Sequence, residues 1–192
     1  MGNSLLNIKQ RQKYLKKLGL YTLKVDGKEG KGTKLAYKYF NIIFLNKSTD
    51  KYTSDTDTKL RAFYKSYAKS KYMLSDDWKF FDFKESQFKC TCKGKYCDGY
   101  NGRKAKCYKK LIMTIQYAKN YYDEKVFISS GVRCKKRNQE VGGVKNSKHL
   151  VFKASDIKVG KEKSSAVVKL FKAFPLVNYT YSITEYYTHV NI

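Results

Sequence analysis

Residues 146–156 read NSKHLVFKASD and place His149 and Asp156 seven positions apart. The chain contains two histidines, and the second, His189, lies in the segment TEYYTHVNI at residues 184–192. Residues 179–192 are rich in β-branched and aromatic side chains, which favours strands. If the strand that carries Asp156 pairs with this last segment, the three side chains can converge. Two imidazoles and one carboxylate, with a fourth position open, form the composition of a catalytic zinc site and not of a closed structural one.

Length and composition indicate a globular protein with room for one ordinary domain or two small ones. The chain has 192 residues, of which 42% are hydrophobic and 16% aromatic. Its formal net charge is +25, from 41 basic and 16 acidic residues. Such a charge attracts nucleic acid, anionic membranes and acidic wall polymers alike. Lysine dominates arginine, which favours diffuse attraction over base reading, although a general preference for lysine would give the same composition.

Several classes of protein are excluded or disfavoured by what the sequence lacks. No apolar run approaches the roughly 20 residues needed to span a bilayer, and the first residues lack the pattern of a secretory signal. We therefore expect a protein made in the cytoplasm, without a signal peptide or membrane span, and acting as a monomer. The sequence also lacks a P-loop, a G-x-S-x-G motif and a dinucleotide-binding fingerprint.

Five cysteines leave three alternatives open. Four of them, Cys90, Cys92, Cys97 and Cys107, precede the fifth, Cys134. An odd number without a signal peptide argues against a full disulfide framework. Cys90, Cys92 and Cys97 resemble a metal knuckle only loosely, since structural zinc sites favour C-x2-C pairs. Plain thiols, a disulfide in part of the population, and a second metal site all remain possible.

The N-terminal third reads as a small helical unit. Apolar positions at helical spacing predict a helix over residues 8–20, which Gly19 can end. A tight turn follows at Val25-Asp26-Gly27, and Thr33 can cap a second helix that runs through Phe44. The triplet Thr33-Lys34-Leu35 recurs at residues 58–60, where it predicts the opening of a third helix.

The remainder reads as a mixed domain. Residues 70–85 have the character of a connector. Periodicity predicts helices over residues 109–122 and 164–174, a buried strand over 125–130, and strands over 179–192. The fold class is therefore α+β: a small three-helix module followed by a mixed domain with a small antiparallel sheet carrying a zinc site.

The helical unit resembles the peptidoglycan-binding domain of cell-wall hydrolases. That family has a helix with Gln and Leu, then Gly, an Asp-Gly turn, and Thr before a second helix. The matching residues over about 5–70 are Gln10-Arg11-Gln12, Leu15, Leu18-Gly19, Val25-Asp26-Gly27, Gly30, Thr33 and Ala36. The resemblance implies binding to peptidoglycan; an unrelated basic helical hairpin is the alternative.

A series of short motifs runs through the second half of the chain: Ser130-Gly131-Val132-Arg133, Asn138, Val141-Gly142-Gly143, Ser147, His149, Ala154, Asp156 and His189. With these motifs the region from about residue 78 to residue 192 is similar to the zinc D-Ala-D-Ala carboxypeptidase family, some members of which are phage endolysins. That family carries S-G-Y-R, an Asn and a V-G-G turn, followed by S-x-H-x-x-G-x-A-x-D and a late histidine. We therefore divide the chain into a wall-binding module at 1–72, a linker at 73–84 and a peptidase domain at 85–192.

This resemblance implies a role for each matching residue. His149, Asp156 and His189 would bind Zn²⁺, and Arg133 would orient the substrate with its planar fork. Ser147 and Tyr187 are further substrate-binding candidates.

Two departures from the family pattern bear on catalysis. Phe152 replaces the Gly between the first two ligands, and Asn191 replaces the Asp that often follows the last histidine. In addition, the family's general base usually lies two or three positions before its last histidine, where this chain has Tyr187 and Tyr186. Glu185, four positions before, is the nearest carboxylate and our candidate general base.

The leading functional hypothesis is a zinc peptidase that removes terminal D-Ala or cleaves a bond within the peptidoglycan stem. It would act at the cell wall, as a phage lysin does, with peptidoglycan and anionic wall polymers as partners and no specific nucleic acid. A non-catalytic wall-binding protein on a decayed peptidase scaffold is the alternative, and a basic nucleic-acid binder rests on charge alone.

Overall fold

The structure is a computed structural model that describes residues 4–102 and 106–192. The chain divides into two compact units, Met1–Ser70 and Lys71–Ile192. The elements of the described residues include six α-helices and four strands: α1 Ile8–Leu18, α2 Lys31–Leu45, α3 Ser54–Lys69, α4 Lys109–Tyr122, β1 Val126–Ser130, α5 Lys135–Glu140, β2 Ala154–Val159, α6 Ser164–Lys172, β3 Tyr179–Ser182 and β4 Tyr187–Asn191. The predicted α+β class is confirmed. None of the helices in the described residues is long and apolar enough to cross a membrane.

The first unit is organised around the side chain of Gln12, which is fully buried on α1. Its Oε1 accepts hydrogen bonds from the backbone N–H groups of Asp26 and Gly27, at 3.0 and 2.8 Å. Its Nε2 donates to Asp26 Oδ1, the carbonyl of Lys28 and Thr33 Oγ1, at 2.9 to 3.0 Å. One amide therefore holds the Asp-Gly turn against the start of α2.

Two details of the predicted helices differ from the structure. Thr33 is not the cap of α2: the helix begins at Lys31 after Gly30, whose N-cap position has no side-chain hydrogen bond. Thr33 bonds to Gln12 instead and thereby serves the turn. Similarly, α3 begins at Ser54, capped by Thr53, ahead of the predicted opening at residue 58. Gly19 does end α1, in the left-handed conformation with φ 86°.

The segment that follows α3 belongs to the second unit. Met73 N–H donates to the carbonyl of Cys107 and Lys109 N–H to that of Lys71, at 2.8 and 3.0 Å. The ammonium of Lys109, which is fully buried, lies 3.0 Å from a carboxylate oxygen of Asp77 in a 3-10 helix at Ser75–Phe80. Burial lowers the pKa of Lys109, although its partner opposes that shift. These bonds fix Met73 and Asp77, in the predicted linker, to the segment Cys107–Lys109 at which α4 begins.

The second unit has a mixed core beneath an antiparallel sheet. Within the described residues the strand order is β1-β2-β4-β3, and each neighbouring pair is antiparallel. Side chains alternate across a strand, so Ile157 and Val159 of β2 and Val190 of β4 point to one face. That face packs against α4 and α6 and is fully buried. The opposite face carries Asp156 and His189.

Candidate functional site

The register of two strands brings Asp156 and His189 together. In the antiparallel pair of β2 and β4 these residues are direct cross-strand partners, and both are buried. Nδ1 of His189 lies 2.7 Å from Oδ1 of Asp156. The same register pairs His189 with Tyr181 on β3, so the three side chains lie on one face of the sheet.

His149 reaches the same point from a 3-10 helix at Lys148–Val151, just before β2. Its Nδ1 lies 2.7 Å from the carbonyl oxygen of Gly131, so Nδ1 carries the proton and donates it. Nε2, left with its lone pair, lies 3.3 Å from His189 Nδ1 and 3.2 Å from Asp156 Oδ1. Ser147 Oγ accepts from the N–H of His149 at 3.3 Å and caps the turn.

These three atoms fit a zinc ion. Four ligands at about 2.0–2.1 Å in a tetrahedron lie about 3.3 Å apart. The separations here are 2.7, 3.2 and 3.3 Å, and the set is one in which a metal could be held. The imidazole of His149 is already oriented by a backbone carbonyl, as metal-ligating histidines normally are. The donors match zinc in type, number and spacing.

Charge around the carboxylate favours its ionised form. Burial alone would raise the pKa of Asp156, but the close contacts with His149 and His189 and the charge of Arg133 hold it well below its usual range. The guanidinium of Arg133 contacts Oδ2 of Asp156 through Nη2 and donates from Nε to Ser130 Oγ at 2.8 Å. Asp156 therefore stays anionic with one oxygen directed at the histidines and the other at Arg133.

Two glycines shape the segments that support these side chains. A Cβ on Gly131 would lie 2.3 Å from the carbonyl oxygen of Phe88, so only glycine allows its carbonyl to reach His149. A Cβ on Gly143 would lie 2.2 Å from Oδ1 of Asn138. The amide of Asn138 donates to the carbonyls of Gly143 and Val144, each at 3.0 Å. Asn138 thus holds the V-G-G turn from behind, and the turn itself lines the site.

Phe152, which departs from the family pattern, has the backbone of a glycine. Its φ and ψ are 57° and 35°, in the left-handed region, where it ends the 3-10 helix of His149. This conformation costs an L-residue roughly 1–2 kcal/mol. The ring is 1% exposed and packs against Phe88 with centroids 6.0 Å apart, and such burial contributes about 1.5–3 kcal/mol. Packing offsets the strain, so the loop between the first two ligand residues keeps the turn that glycine would give.

An open cleft of about 560 Å³ lies over the three residues, a size suited to a peptide. Its lining includes Arg133, Val141, Val144, Asn146, Ser147, His149, Asp156, Tyr179, Tyr181, Ile183, His189 and Asn191. A second cavity, of about 340 Å³, is lined by Arg133, Asp156, Thr184 and Tyr187 among others. Ser147 thus lies in the first cleft, Tyr187 in the second, and Arg133 in both.

A match to a protein-family model covers residues 81–191, and that family is Peptidase M15. The chain belongs to the Peptidase M15 family. Membership implies a peptidoglycan peptidase, and the three buried residues are its candidate metal centre. A comparison with curated proteins found no match.

The structure does not bring Glu185 into this M15 site. β4 begins at Tyr187, so the strand alternation that would have placed residue 185 beside His189 does not extend that far. Glu185 lies in the turn between β3 and β4, with its side chain 58% exposed and 3.2 Å from Lys163 Nζ. Its backbone carbonyl accepts from Ser164 N–H at 2.7 Å. The general-base role predicted for it is at odds with this position.

Tyr181 is a site residue that sequence reasoning missed. Its ring stacks on His189, with centroids 4.8 Å apart and planes at 28°. Burial and the charge of Asp156 raise the pKa of Tyr181, so its hydroxyl is a hydrogen-bond donor near neutral pH. Asn191 also contributes, since its Nδ2 lies 3.5 Å from Nε2 of His189. The alternation of Tyr179 and Tyr181 was visible in the sequence, but the register that pairs residue 181 with 189 was not.

Proposed function

We propose that this chain is a zinc-dependent peptidase of peptidoglycan stem peptides that contain D-amino acids. Within that class it would remove the terminal D-Ala or cut a bond inside the stem. The observation that carries the proposal is the convergence of His149 Nε2, Asp156 Oδ1 and His189 Nδ1 at an open cleft of an M15 chain. When bound, zinc supplies a Lewis acid that polarises a peptide carbonyl and makes water more acidic.

In this proposal the residues around the metal bind and orient the substrate. Arg133 uses one N–H for Ser130 and one for Asp156. Its other N–H groups, at the edge of the cleft, would grip a peptide carbonyl or terminal carboxylate. Tyr181 would donate its hydroxyl to the oxygen on which negative charge develops. Ser147 and Tyr187, at the two cavities, would contact the flanking parts of the peptide.

We propose further that the first unit binds the wall. Its support is the resemblance of residues 5–70 to peptidoglycan-binding domains, together with the use of Gln12, Asp26, Gly27 and Thr33 in one hydrogen-bonded turn. The net charge of +25 would add attraction to anionic wall polymers. The protein would be made in the cytoplasm and act at the wall as a monomer, as a phage lysin does, without recognising a nucleic-acid sequence.

A second candidate, a wall-binding protein without catalytic activity, is favoured by one observation. Among the described residues that line the cleft over the metal-binding residues, Asp156 is the only carboxylate, and it is paired with both histidines and Arg133. The described lining residues therefore include no carboxylate, apart from the ligand candidate Asp156, that could act as the general base. Such a protein would hold the metal and the wall yet leave stem peptides intact.

Digestion of purified peptidoglycan, followed by mass spectrometry of the soluble products, separates these candidates. The zinc-loaded full chain should release D-Ala or stem fragments, and the mass of the product identifies the bond. A chelator should abolish release and added zinc should restore it. His189→Ala should be inactive, whereas Cys107→Ala, a buried change outside the candidate metal centre, should be active. If the stem peptides stay intact after incubation with the zinc-loaded wild-type protein, the non-catalytic candidate is supported.

A further inference from the structure

A second group of metal-binding side chains lies outside the cleft. The Sγ atoms of Cys90, Cys92, Cys97 and Cys134 all lie within 4.8 Å of one another. Cys97 is half-buried and the other three are buried. The fifth cysteine, Cys107, is not part of this group, and its thiol lies 3.9 Å from the carbonyl oxygen of Tyr108. We call the four residues the cysteine cluster.

Backbone geometry builds the cluster from a tight loop and a helix start. Lys93 and Gly94 have positive φ values of 51° and 85°, which reverse the chain between Cys92 and Cys97. Cys90 N–H donates to the carbonyl of Gly99 at 2.8 Å and closes the loop. Cys134 comes from the N-cap of α5, far along the chain. Four thiols converge here because the fold directs them inward from two separate segments.

Backbone N–H groups donate hydrogen bonds to the sulfurs of Cys90, Cys97 and Cys134. Gly99 N–H donates to Cys97 Sγ at 3.3 Å, Cys134 N–H to Cys90 Sγ at 3.4 Å, and Arg137 N–H to Cys134 Sγ at 3.4 Å. Hydrogen bonds of this kind stabilise the thiolate, which is the form that binds metals. They also fix the direction in which each sulfur points, as outer-shell contacts do in metal sites.

The spacing of the sulfurs suits one ion better than two disulfides. A zinc ion with four thiolates at about 2.3 Å has sulfurs about 3.8 Å apart. All four sulfurs lie within 4.8 Å of one another, and the Cys92–Cys97 pair is 3.5 Å apart. A disulfide needs about 2.05 Å and would join sulfurs in pairs. A set in which every sulfur neighbours every other is the arrangement of a tetrahedral site.

The surroundings supply the charge that such a site needs. Four thiolates and one divalent ion leave two negative charges. The cluster segments carry basic residues beside the ligands: Lys89, Lys93, Lys95, Lys135, Lys136 and Arg137. Two of these, Lys95 and Arg137, pair with the single carboxylate of Glu140 at 3.7 and 3.2 Å. Burial raises the pKa of the Cys90 and Cys97 thiols, and a local excess of positive charge works against that effect by favouring the ionised thiolates.

We propose that Cys90, Cys92, Cys97 and Cys134 bind one zinc ion in a closed structural site, separate from the His-Asp-His centre. On binding, the four thiols release their protons to solvent and no position is left for substrate. The site joins the loop of Cys90–Cys97 to Cys134, which directly follows Arg133. It thereby helps to keep the guanidinium of Arg133 in contact with Asp156. This inference does not depend on the proposed peptidase activity.

The test is the zinc content of the full chain, purified under reducing conditions and measured by elemental analysis. Wild type should carry about two zinc ions per chain, and His149→Ala with His189→Ala should retain about one. X-ray absorption at the zinc edge of that double variant should show sulfur ligands alone, at about 2.3 Å. Cys92→Ser with Cys97→Ser should lose this zinc, and Cys107→Ala should keep it.

Each outcome decides for or against the cluster site. A double histidine variant that is folded and free of zinc overturns it, whether its cysteines are found as free thiols or as disulfides. Nitrogen or oxygen scatterers in place of sulfur overturn it too. Should the cysteine variant fail to fold, the absorption spectrum of the histidine variant still decides the question. Zinc held by sulfur in a chain that never cleaves peptidoglycan would support this site while refuting the proposed function.

Discussion

Asp156 and His189 face each other across β2 and β4, with Oδ1 and Nδ1 2.7 Å apart. Their separation is set by backbone register, because direct cross-strand partners have Cβ atoms about 4.5–5.5 Å apart. The third donor, His149, is instead positioned by a hydrogen bond to Gly131. Asp156 and His189 are thus positioned by the sheet, whereas His149 is positioned by a turn.

Arg133→Ala should lower kcat/KM on stem peptides by roughly a hundredfold or more in zinc-saturated protein. The variant loses a charge-assisted contact in a partly dry site. Arg133→Lys should not restore the rate, since a point charge cannot reproduce the fork. Lys161→Ala is the control for loss of a positive charge, because Lys161 is exposed and lines neither of the two cavities. Equal rates for wild type and Arg133→Ala would remove Arg133 from the substrate site.

Glu185→Gln should keep the wild-type rate. Its side chain pairs with Lys163 on the surface, and such exposed pairs contribute about 0–1 kcal/mol to stability. Lys163→Met removes the other partner of this ion pair. Its melting temperature and its rate of peptidoglycan digestion should equal those of Glu185→Gln. A loss of turnover by a factor of about a hundred in Glu185→Gln alone would mean that the turn moves Glu185 to the metal centre during catalysis.

Tyr181→Phe should lower kcat by roughly a hundredfold, as the removal of one oxyanion donor does. The ring that stacks on His189 is retained, so zinc content and melting temperature should stay close to wild type. Tyr179→Phe provides the control: this ring also lines the cleft but lies farther from His189, at 6.5 Å between centroids. If both variants turn over at the same rate, the hydroxyl of Tyr181 has no special part in the reaction.

Gln12→Leu should destabilise the first unit by about 1–3 kcal/mol, because it removes the buried amide that accepts hydrogen bonds from the N–H groups of Asp26 and Gly27. The thermal unfolding of the full chain would report this loss. Sedimentation with purified walls should weaken in parallel, while cleavage of a short soluble stem peptide should not change. Lys13→Leu, one position along and exposed, controls for the added apolar side chain. Normal wall binding by a first unit shown to be unfolded would refute its proposed role.

The first unit should lose stability in acid through Asp57. Burial would raise the pKa of Asp57, but bonds from Arg61, the N–H of Leu6 and Tyr52 outweigh it and lower the value. With the folded pKa below the unfolded one, the stabilisation is complete above the unfolded pKa and disappears as pH falls through the folded pKa. Asp57→Asn should therefore be less stable at neutral pH and show a shallower decline in acid denaturation. An identical acid profile in both proteins would contradict the assignment.

Much of the fold could be predicted because its signals are local. Helical spacing defined α4 to the residue, and the β-branched, aromatic character of residues 179–192 predicted the strands. Gly19 ends α1 because its left-handed φ suits glycine. The prediction that Thr33 caps α2 is wrong because its partner, Gln12, is distant in sequence, and no spacing rule predicts that bond.

The site residues likewise divide into those that the sequence predicts and those that depend on tertiary contacts. His149, Asp156 and His189 could be proposed from their residue types and the resemblance, and the structure places them together. Glu185 was placed on the face of His189 by extending strand alternation past the residue where β4 begins. The role of Tyr181 depends on the register of β3 against β4, and the cysteine cluster depends on a contact between segments about 40 residues apart. These relationships are tertiary, so no local pattern contains them.

The left-handed conformation of Phe152 restricts which substitutions are tolerated at positions 88 and 152 during evolution. One side chain both bears the backbone strain and fills the space beside Phe88. Glycine at position 152 would relieve the strain but empty that space, and a larger residue at position 88 would be needed to fill it. We therefore expect positions 88 and 152 to vary together among related chains, with aromatic pairs in some lineages and a glycine opposite a bulkier partner in others.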